Sequence, residues 1–478
     1  MTESTRSPPD PATTHTPVTA SQPATRGIDF WQAVGFWLKL GFISFGGPAG
    51  QIAIMHRVLV DERRWLSERR FLHALNYCMV LPGPEAQQLA TYIGWLMHRT
   101  AGGIVAGSLF VLPSLALMIG LSWVYMTWGN TPVVAGLFLG IKPAVIAIVV
   151  QAAHRIGSRT LRNAPLWLIA AASFVAIAIL DVPFPAVVIA AALIGHVLGR
   201  VAPHTVSIGG GHAPTSGAAT QVKASDQVID AAIALAKPII DDDTPRPPHA
   251  RFRWSRLAWV TGIASLLWLI PMGILVVLRG WDDTLAQMGW FFTKAALLTF
   301  GGAYAVLPYV WQGAVEQFHW LTPAQMIDGL ALGETTPGPL IMIVSFVGYV
   351  GGHSSALLGS EARFLGGALA ACVATWFTFL PSFLFILAGG PLVESTRSQV
   401  SVTAPLTAIT AAVVGVIGSL AVFFAAHVLW PDGIAGRFDL VAALITAGAA
   451  VALLRWKANV MLVIGACALV GLAVQTLH

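Results

Sequence analysis

The chain has 478 residues, of which 56% are hydrophobic and only 10% are charged, and its mean hydropathy is +0.73. A soluble domain carries about 25% charged residues, so this composition excludes a protein whose whole surface faces water. The net charge of +5 does not indicate a nucleic-acid partner, because the arginines cluster beside apolar segments, as in loops retained on the cytoplasmic side. Long apolar stretches recur from residue 28 to residue 476 and predict a chain that crosses a bilayer many times.

Two polar stretches flank and interrupt the apolar part of the chain. Residues 1–27 are proline-rich, which predicts a disordered tail, and they lack the apolar core of a cleavable signal peptide. Residues 200–256 predict a cytoplasmic linker with a short surface helix near 227–235. The predicted domains between and after them are a first transporter repeat over 28–199, an orientation-inverting linker helix over 257–280, and a second repeat over 281–478.

Nine apolar segments have the length of ordinary membrane spans, since a helix needs about 20 apolar residues to cross. They are 103–126, 132–152, 165–181, 184–199, 257–279, 364–389, 404–428, 438–454 and 458–476. Four further apolar segments contain Gly or Pro near their middles, which predicts broken helices. These are 28–55, 71–97, 286–311 and 326–350.

The four broken segments contain an internal repeat. Residues 39–84 align without a gap on residues 294–339, at a constant offset of 255 and with eleven identities in 46 positions. The matches include Lys39 with Lys294, Phe-Gly-Gly at 45–47 and 300–302, and Pro-Gly-Pro at 82–84 and 337–339. After a short insertion, Leu-Pro-Ser at 112–114 recurs at 380–382. A match of this length indicates gene duplication.

Charge distinguishes the two copies. The first copy carries five arginines at positions 57, 63, 64, 69 and 70, and the equivalent positions of the second copy hold no arginine or lysine. Because positive loops stay on the cytoplasmic side, we expect the two loops on opposite sides of the membrane. The span at 257–279 has no counterpart in the first half and would produce this inversion.

The sequence allows two alternative paths of the broken segments through the membrane. If 71–97 is a re-entrant hairpin, the five-arginine loop stays cytoplasmic, and the chain has nine spans and four hairpins. If every broken segment crosses fully, the chain has thirteen spans. We favour hairpins. The predicted fold is an all-α integral membrane protein, a polytopic helix bundle of two homologous halves in an inverted repeat, with broken or re-entrant helices at the Phe-Gly-Gly and Pro-Gly-Pro motifs.

Broken helices in inverted repeats place a substrate site near the middle of the membrane, where half-helix N-termini point at anionic groups. The alternative is that the breaks are packing kinks with small-residue helix contacts. The predicted substrate-binding residues lie at the breaks or close to them in sequence: Lys39, Phe45, Gly46, Gly47, Pro48, Gln51, Pro82, Gly83, Pro84, Gln88, Lys294, Gly301, Gly302, Pro337, Gly338 and Pro339.

Lys39 and Lys294 are the strongest single candidates for substrate binding, because the duplication places both a few residues before a Phe-Gly-Gly break. A buried ammonium costs at least about 2.5–3.5 kcal/mol at the centre of a membrane helix unless it is paired or hydrated. Two lysines that converge would suit a dianion. The alternative is that both snorkel towards the headgroups. Lys142 is a weaker candidate, because it has no lysine mate in the second half.

Two carboxylates beside the Pro-Gly-Pro turns, Glu85 and Glu334, are candidates for proton coupling. A carboxyl group in an apolar site holds its proton more tightly than one in water. The alternative is that both are hydrogen-bonded helix caps.

Asp328 is expected at the membrane interface. The three cysteines are interpreted as small apolar helix residues, and neither a cofactor nor a metal site is expected.

In combination, these motifs resemble the signature of the chromate ion transporter family over residues 28–476. The residues that carry the resemblance are Phe45-Gly46-Gly47-Pro48, Trp65-Leu66-Ser67-Glu68, Leu81-Pro82-Gly83-Pro84, Leu112-Pro113-Ser114, Phe300-Gly301-Gly302 and Thr336-Pro337-Gly338-Pro339. The resemblance implies a multi-pass protein that exports chromate across the bacterial inner membrane and confers chromate resistance. Sulfate is then the expected competitor. Gln51 stands where many members have His.

The energy source is expected to be the membrane potential or an ion gradient, because the sequence has no ATP-binding loop. The runner-up function is transport of sulfate or another small oxyanion or carboxylate. An intramembrane enzyme is disfavoured, because the sequence contains neither His-Glu-x-x-His nor Gly-x-Ser-x-Gly. The expected partners are chromate and the lipid bilayer, and a homodimer stays open.

Overall fold

The structure is a computed structural model that describes residues 28–45, 47–201, 238–241, 247–300, 302–395, 403–433 and 435–477. The tail at 1–27, the surface helix near 227–235, and the glycines Gly46 and Gly301 lie outside the described residues. Within those ranges the chain forms sixteen α-helices and no β-strand. This confirms the all-α prediction.

The helices divide into two sets, one for each half of the chain. The first set is α1 (Phe30–Ile43), α2 (Gly47–His56), α3 (Glu68–Val80), α4 (Glu85–Trp128), α5 (Pro132–Thr160), α6 (Ala164–Ala178) and α7 (Phe184–Val201). Then follow α8 (Trp254–Arg279), α9 (Thr284–Leu298), α10 (Leu307–Trp311), α11 (Pro323–Thr335), α12 (Ile343–Ser354), α13 (Arg363–Ser395), α14 (Thr403–Leu429), α15 (Leu440–Leu454) and α16 (Val460–Leu477). Helix α4 has two arms, because the backbone leaves helical geometry at His98 and Arg99.

Among the described residues, seven helices are long and apolar enough to cross a membrane, which makes the chain a multi-pass membrane protein: α4, α5, α7, α8, α13, α14 and α16. All nine predicted spans form helices, but α6 and α15 have only 15 residues each. At 1.5 Å per residue such a helix is about 22 Å long, which is shorter than the hydrocarbon core of about 30 Å. Hydropathy located these two helices correctly and overestimated their length.

The two halves share unusual backbone geometry at equivalent positions of the repeat. In each half a π-helix follows the Phe-Gly-Gly break, Arg57–Glu62 in the first and Gln312–Gln317 in the second. A residue with positive φ comes next, Arg64 at 49° or His319 at 51°. Each pair of elements is separated by 255 residues, so the two homologous halves predicted from the sequence are confirmed as structural repeats.

The four broken segments are interrupted at the predicted motifs. Each break contains a glycine with positive φ: Gly47 at 70°, Gly83 at 122°, Gly302 at 101° and Gly338 at 107°. Residues with a Cβ rarely adopt this conformation, so glycine is required where the chain changes direction there. The prediction of broken helices at these motifs is confirmed.

Two of the broken segments, one in each half, fold back on themselves. The carboxylate of Glu394 accepts hydrogen bonds from Arg70 in α3 over 2.8 Å and from Tyr92 in the first arm of α4 over 2.6 Å. In one straight helix, residues 70 and 92 would lie roughly 33 Å apart. In the second half, Trp320 before α11 packs against Gly351 near the end of α12. Both arrangements have the geometry of the hairpin alternative.

The five-arginine loop lies against the described end of the linker. The Ile239 N–H donates to the Arg64 carbonyl over 3.1 Å, and the Ile240 N–H donates to the Trp65 carbonyl over 3.0 Å. In return, the Ser67 N–H donates to the Ile240 carbonyl over 3.0 Å. The loop and this end of the linker therefore share one side of the molecule, as the hairpin alternative requires.

The helices pack as two groups that each draw on both halves. In one group, α14 contacts α5, α6 and α7, and α5 also contacts α15 and α16. In the other group, the long helices α4 and α13 contact each other. Helix α4 also packs on α1 and α3, and α13 packs on α9 and α12. The second group therefore brings the broken segments of the two halves together.

The sidedness of the repeat can be tested at matched positions. Asp61 and Glu316 are 255 residues apart, and both are exposed on the two π-helices. In a variant without the native cysteines, we expect Asp61→Cys to react with a membrane-impermeant thiol reagent only from the cytoplasm, and Glu316→Cys only from the periplasm. Labelling is compared between intact cells and inverted vesicles. Reaction of both cysteines from one side would contradict the inverted repeat.

Candidate functional site

The breaks of the two halves meet at two points, which we call the crossovers. At the first crossover, the Gly338 N–H donates to the Ser44 carbonyl oxygen over 2.8 Å. At the second, the Gly83 N–H donates to the Thr299 carbonyl oxygen, also over 2.8 Å. Each bond joins the Pro-Gly-Pro turn of one half to the Phe-Gly-Gly break of the other. The partners are equivalent in the repeat, so a pseudo-two-fold symmetry relates the two bonds.

The Leu-Pro-Ser motifs complete the crossovers. Ser114 packs on Gly338 at the first crossover, and Ser382 packs on Gly83 at the second. The sequence revealed this motif as part of the repeat but gave it no role. The first crossover is therefore formed by Ser44, Gln51, Ser114 and Gly338, and the second by Thr299, Gly83, Gln88 and Ser382.

A glutamine amide holds the backbone at each crossover. Gln51 Nε2 donates to the carbonyl oxygens of Gly338 over 2.5 Å and Ser44 over 3.4 Å. Gln88 Nε2 donates to the carbonyl oxygen of Pro82 over 2.7 Å and to Ser382 Oγ over 3.3 Å. The two glutamines come from non-equivalent positions, since Gln51 belongs to α2 and Gln88 to α4. Both predicted residues thus lie at the crossovers.

The first crossover contains buried polar atoms without a hydrogen-bond partner. Ser44, Gln51 and Ser114 are wholly buried. Their Oγ, Oε1 and Oγ atoms have no partner among the described residues. Leaving such an atom unsatisfied costs about 1–3 kcal/mol, so a folded protein retains it only where something else requires it.

The second crossover is more completely hydrogen-bonded. Thr299 Oγ1 donates to the Ala295 carbonyl over 2.7 Å, and Ser382 Oγ accepts from Gln88. Gln88 Oε1 is the atom of this crossover that has no partner within the described ranges. The position equivalent to Gln51 is the apolar Val306. The backbone symmetry of the crossovers is therefore not matched by their side chains.

The other predicted residues at the breaks differ in exposure. Phe45 is exposed, and Gly47, Pro48, Pro82 and Gly302 are partly buried. The buried members are Pro84, Pro337, Gly338 and Pro339. The Phe-Gly-Gly breaks thus reach the surface of the described structure, while three of the four prolines that flank the turn glycines are enclosed.

The two predicted lysines lie away from the crossovers' hydrogen bonds. Lys39 is exposed on α1. Lys294 on α9 is partly buried, and its ammonium lies 5.7 Å from the centre of the Trp290 ring. Across the described ranges, neither ammonium has a hydrogen bond or an ion pair. Their role in binding stays a prediction.

The two predicted carboxylates occupy different positions. Glu85 is the first residue of α4 and is partly buried. Glu334 is buried in the last turn of α11, and its Oε1 accepts a hydrogen bond from Tyr304 over 2.5 Å. Within the described part of the chain, no three His, Cys, Asp or Glu side chains gather as a metal site would require.

Asp328, expected at the membrane interface, is buried within the protein and only 3% exposed. It forms an ion pair with Lys142 over 3.3 Å and accepts a hydrogen bond from Tyr125 over 2.8 Å. The charge of Lys142 is therefore already paired with a carboxylate. Lys142 becomes a still weaker candidate for an anion ligand. The sequence offered no signal for this cluster, since the residue equivalent to Asp328 is His73.

Comparison with known proteins agrees with the two-halved architecture. The family described as "Chromate transporter" matches residues 31–196 and 286–472, one region in each half. The chromate transport protein of Pseudomonas aeruginosa is 34% identical over 379 residues, which cover 79% of this chain and 76% of that protein. That of Cupriavidus metallidurans is 28% identical over 438 residues, which cover 91% and 90%. No solved structure matches the chain.

Proposed function

The chain belongs to the chromate transporter family, and from this premise we propose that it exports chromate across the bacterial inner membrane and confers chromate resistance. The observation that carries the proposal is the pair of crossovers, at which broken helices of the two halves meet inside a multi-pass bundle. Transporters built from inverted repeats bind charged substrates at such breaks.

The chemistry of the breaks suits an anion. Chromate is a tetrahedral dianion with four acceptor oxygens, so its site needs N–H or O–H donors and a positive potential. Helix α2 begins at Gly47, directly after the first break. Its first N–H groups have no partner within the helix, and the positive end of its dipole lies there. The predicted glycines of the two Phe-Gly-Gly breaks would supply backbone donors of this kind. The Gly83 and Gly338 N–H groups already donate to carbonyl oxygens across the crossovers, and the prolines beside them have no N–H.

The energy source in this proposal is the membrane potential or an ion gradient. An inside-negative potential drives anions outward, by about 2.3 kcal/mol per charge per 100 mV. Glu85 and Glu334 are proposed for proton coupling, because each lies beside a Pro-Gly-Pro turn, Glu334 buried and Glu85 partly buried. A carboxylate in direct contact with chromate would repel it, so both are placed outside the binding site.

The lysines are proposed to raise the positive potential at the breaks. We expect Lys39→Met and Lys294→Met each to reduce chromate flux about tenfold, which corresponds to about 1.4 kcal/mol. Methionine keeps most of the side-chain length and removes the charge, so membrane insertion should be unchanged. The matched control is Lys457→Met, which removes a charge at an exposed turn between α15 and α16. Wild-type flux in both single variants would show that the lysines only snorkel.

The decisive test of function is chromate uptake into inverted vesicles energised by respiration. We expect energised accumulation that excess sulfate inhibits, because sulfate has nearly the same size and charge. Ionophores that collapse the potential or the proton gradient separately then identify the driving force. Vesicles without the protein are the control.

The runner-up function is transport of sulfate or another small oxyanion or carboxylate. Robust sulfate flux without chromate accumulation in the same vesicles would transfer the assignment to it. A host that lacks the protein should become chromate-sensitive under the first function and not under the second.

A further inference from the structure

Resting on the proposed function, we infer that the transported oxyanion is held at the first crossover by the hydroxyl groups of Ser44 and Ser114. The side chains of the second crossover then serve as a structural counterpart and do not bind the anion. The repeat makes the two crossovers equivalent in their backbones. The inference comes from the side chains, which are not equivalent.

The first line of evidence is the supply of free donors. Ser44 and Ser114 are both 0% exposed, and neither hydroxyl has a hydrogen-bond partner among the described residues. A hydroxyl can donate one hydrogen bond, which is what an oxyanion accepts. At the second crossover, the Thr299 hydroxyl already donates to a helix carbonyl, so among its described side chains only Ser382, whose Oγ accepts from Gln88, keeps a hydroxyl proton for an anion, against two serines at the first crossover. Gln88 Oε1 is unpartnered, but an amide oxygen only accepts hydrogen bonds.

The second line of evidence is convergence. The backbone of Gly338 lies between the two serines, because its N–H binds the Ser44 carbonyl and its Cα faces the Ser114 side chain. An alanine Cβ at Gly338 would lie 2.8 Å from Ser114 Oγ. The backbone of Gly338 thus lies beside both serines, and its missing side chain leaves space in front of the Ser114 hydroxyl.

The third line of evidence is the helix that follows each break. In the first half, α2 runs for 10 residues from Gly47. In the second half, a 3-10 turn at Ala303–Ala305 precedes α10, which has only 5 residues. A longer regular helix adds a larger dipole, so the first break offers the stronger positive end.

Gln51 has a positioning role in this arrangement. Its amide nitrogen holds the carbonyls of Ser44 and Gly338 and so fixes the distance between the break and the turn. Its Oε1 atom is the third unpartnered atom of the crossover, and it can accept a hydrogen bond from a serine hydroxyl but not from a fully deprotonated oxyanion.

The test compares serine variants at the two crossovers in proteoliposomes. We expect Ser44→Ala and Ser114→Ala each to raise the chromate KM about tenfold to a hundredfold, as loss of a hydrogen bond to a charged group does. The matched controls are Ser382→Ala and Thr299→Val, for which we expect changes below about twofold. Equal effects at both crossovers, or larger effects at the second, would overturn the inference.

Thermal stability separates binding from a structural role. Ser44→Ala and Ser114→Ala remove unpartnered buried hydroxyls, so the variants should melt at or above the wild-type temperature while binding chromate more weakly in equilibrium dialysis. A loss of stability that parallels the loss of binding would assign the serines to folding and overturn the inference.

Failure of the inference and failure of the proposed function give different results. If the wild type carries sulfate and not chromate, the same four variants measured with sulfate still decide which crossover binds the oxyanion. If the wild type binds neither oxyanion in dialysis, both proposals are wrong. If it transports chromate and the four variants behave alike, only the inference is wrong.

Discussion

Replacing Glu394 by alanine is expected to lower the stability of the folded protein by about 3–5 kcal/mol. Glu394 is 1% exposed and forms an ion pair of 2.8 Å with Arg70, which is 5% exposed. Its other carboxylate oxygen accepts the 2.6 Å hydrogen bond from Tyr92. Removal of the carboxylate takes the Glu394 ion pair from a buried guanidinium, so the cost of keeping that charge out of water is offset less completely.

The measurement is thermal unfolding of the purified protein in detergent. The control is Glu62→Ala, which breaks the exposed pair with Arg57 at 3.4 Å and should cost less than about 1 kcal/mol. The double variant Arg70→Met/Glu394→Leu should recover most of the loss, because it removes both charges together. A Glu394→Ala variant as stable as Glu62→Ala would contradict the expectation.

This ion pair also has an architectural consequence. Arg70 and Tyr92 lie on the two arms of a first-half hairpin, and Glu394 lies at the end of α13 in the second half. The Glu394 carboxylate therefore links the two arms of the hairpin and binds the hairpin to the second half. Loss of the pair is expected to loosen the contact between the halves that also forms the crossovers.

The spans, the breaks and the repeat could be predicted from the sequence because each depends on local signals. Apolar length predicts a span. Glycine is required where φ is positive, so Phe-Gly-Gly and Pro-Gly-Pro marked the breaks, and the structure has Gly47 and Gly338 in that conformation. Gln51 and Gln88 were predicted at the site because they lie close to these motifs in sequence, and both contact the crossovers.

The remaining features depend on contacts between distant parts of the chain. Lys142 forms an ion pair with Asp328 from 186 residues away, and no signal near either residue in the sequence indicates this pair. Ser44 and Ser114 have ordinary neighbours in the sequence, and their lack of partners becomes apparent only when Gly338 is placed between them. Burial and pairing across the two halves cannot be read from the order of residues in either half.

Replacing Gly338 by alanine is expected to abolish chromate transport and to destabilise the protein by more than the backbone alone explains. Gly338 has φ of 107°, and an added Cβ would lie 2.5 Å from the Ser114 Cβ. The conformation costs about 1–2 kcal/mol for a residue with a side chain, and overpacking adds about 1–3 kcal/mol. The control is Gly302→Ala. Gly302 has φ of 101°, but the space around an added Cβ is open, so this variant should show only the cost of the backbone conformation and no overpacking.

A compensating change separates the clash from the loss of binding. In Gly338→Ala/Ser114→Gly, the Cβ that meets the new alanine is absent, so the melting temperature should return to that of Gly302→Ala. Transport should not return, because the Ser114 hydroxyl is lost together with its Cβ. Recovery of chromate flux in this double variant would show that the turn needs only space at Ser114. Recovery of stability without flux would show that transport needs the Ser114 hydroxyl, because the double variant no longer has a steric clash between residues 338 and 114.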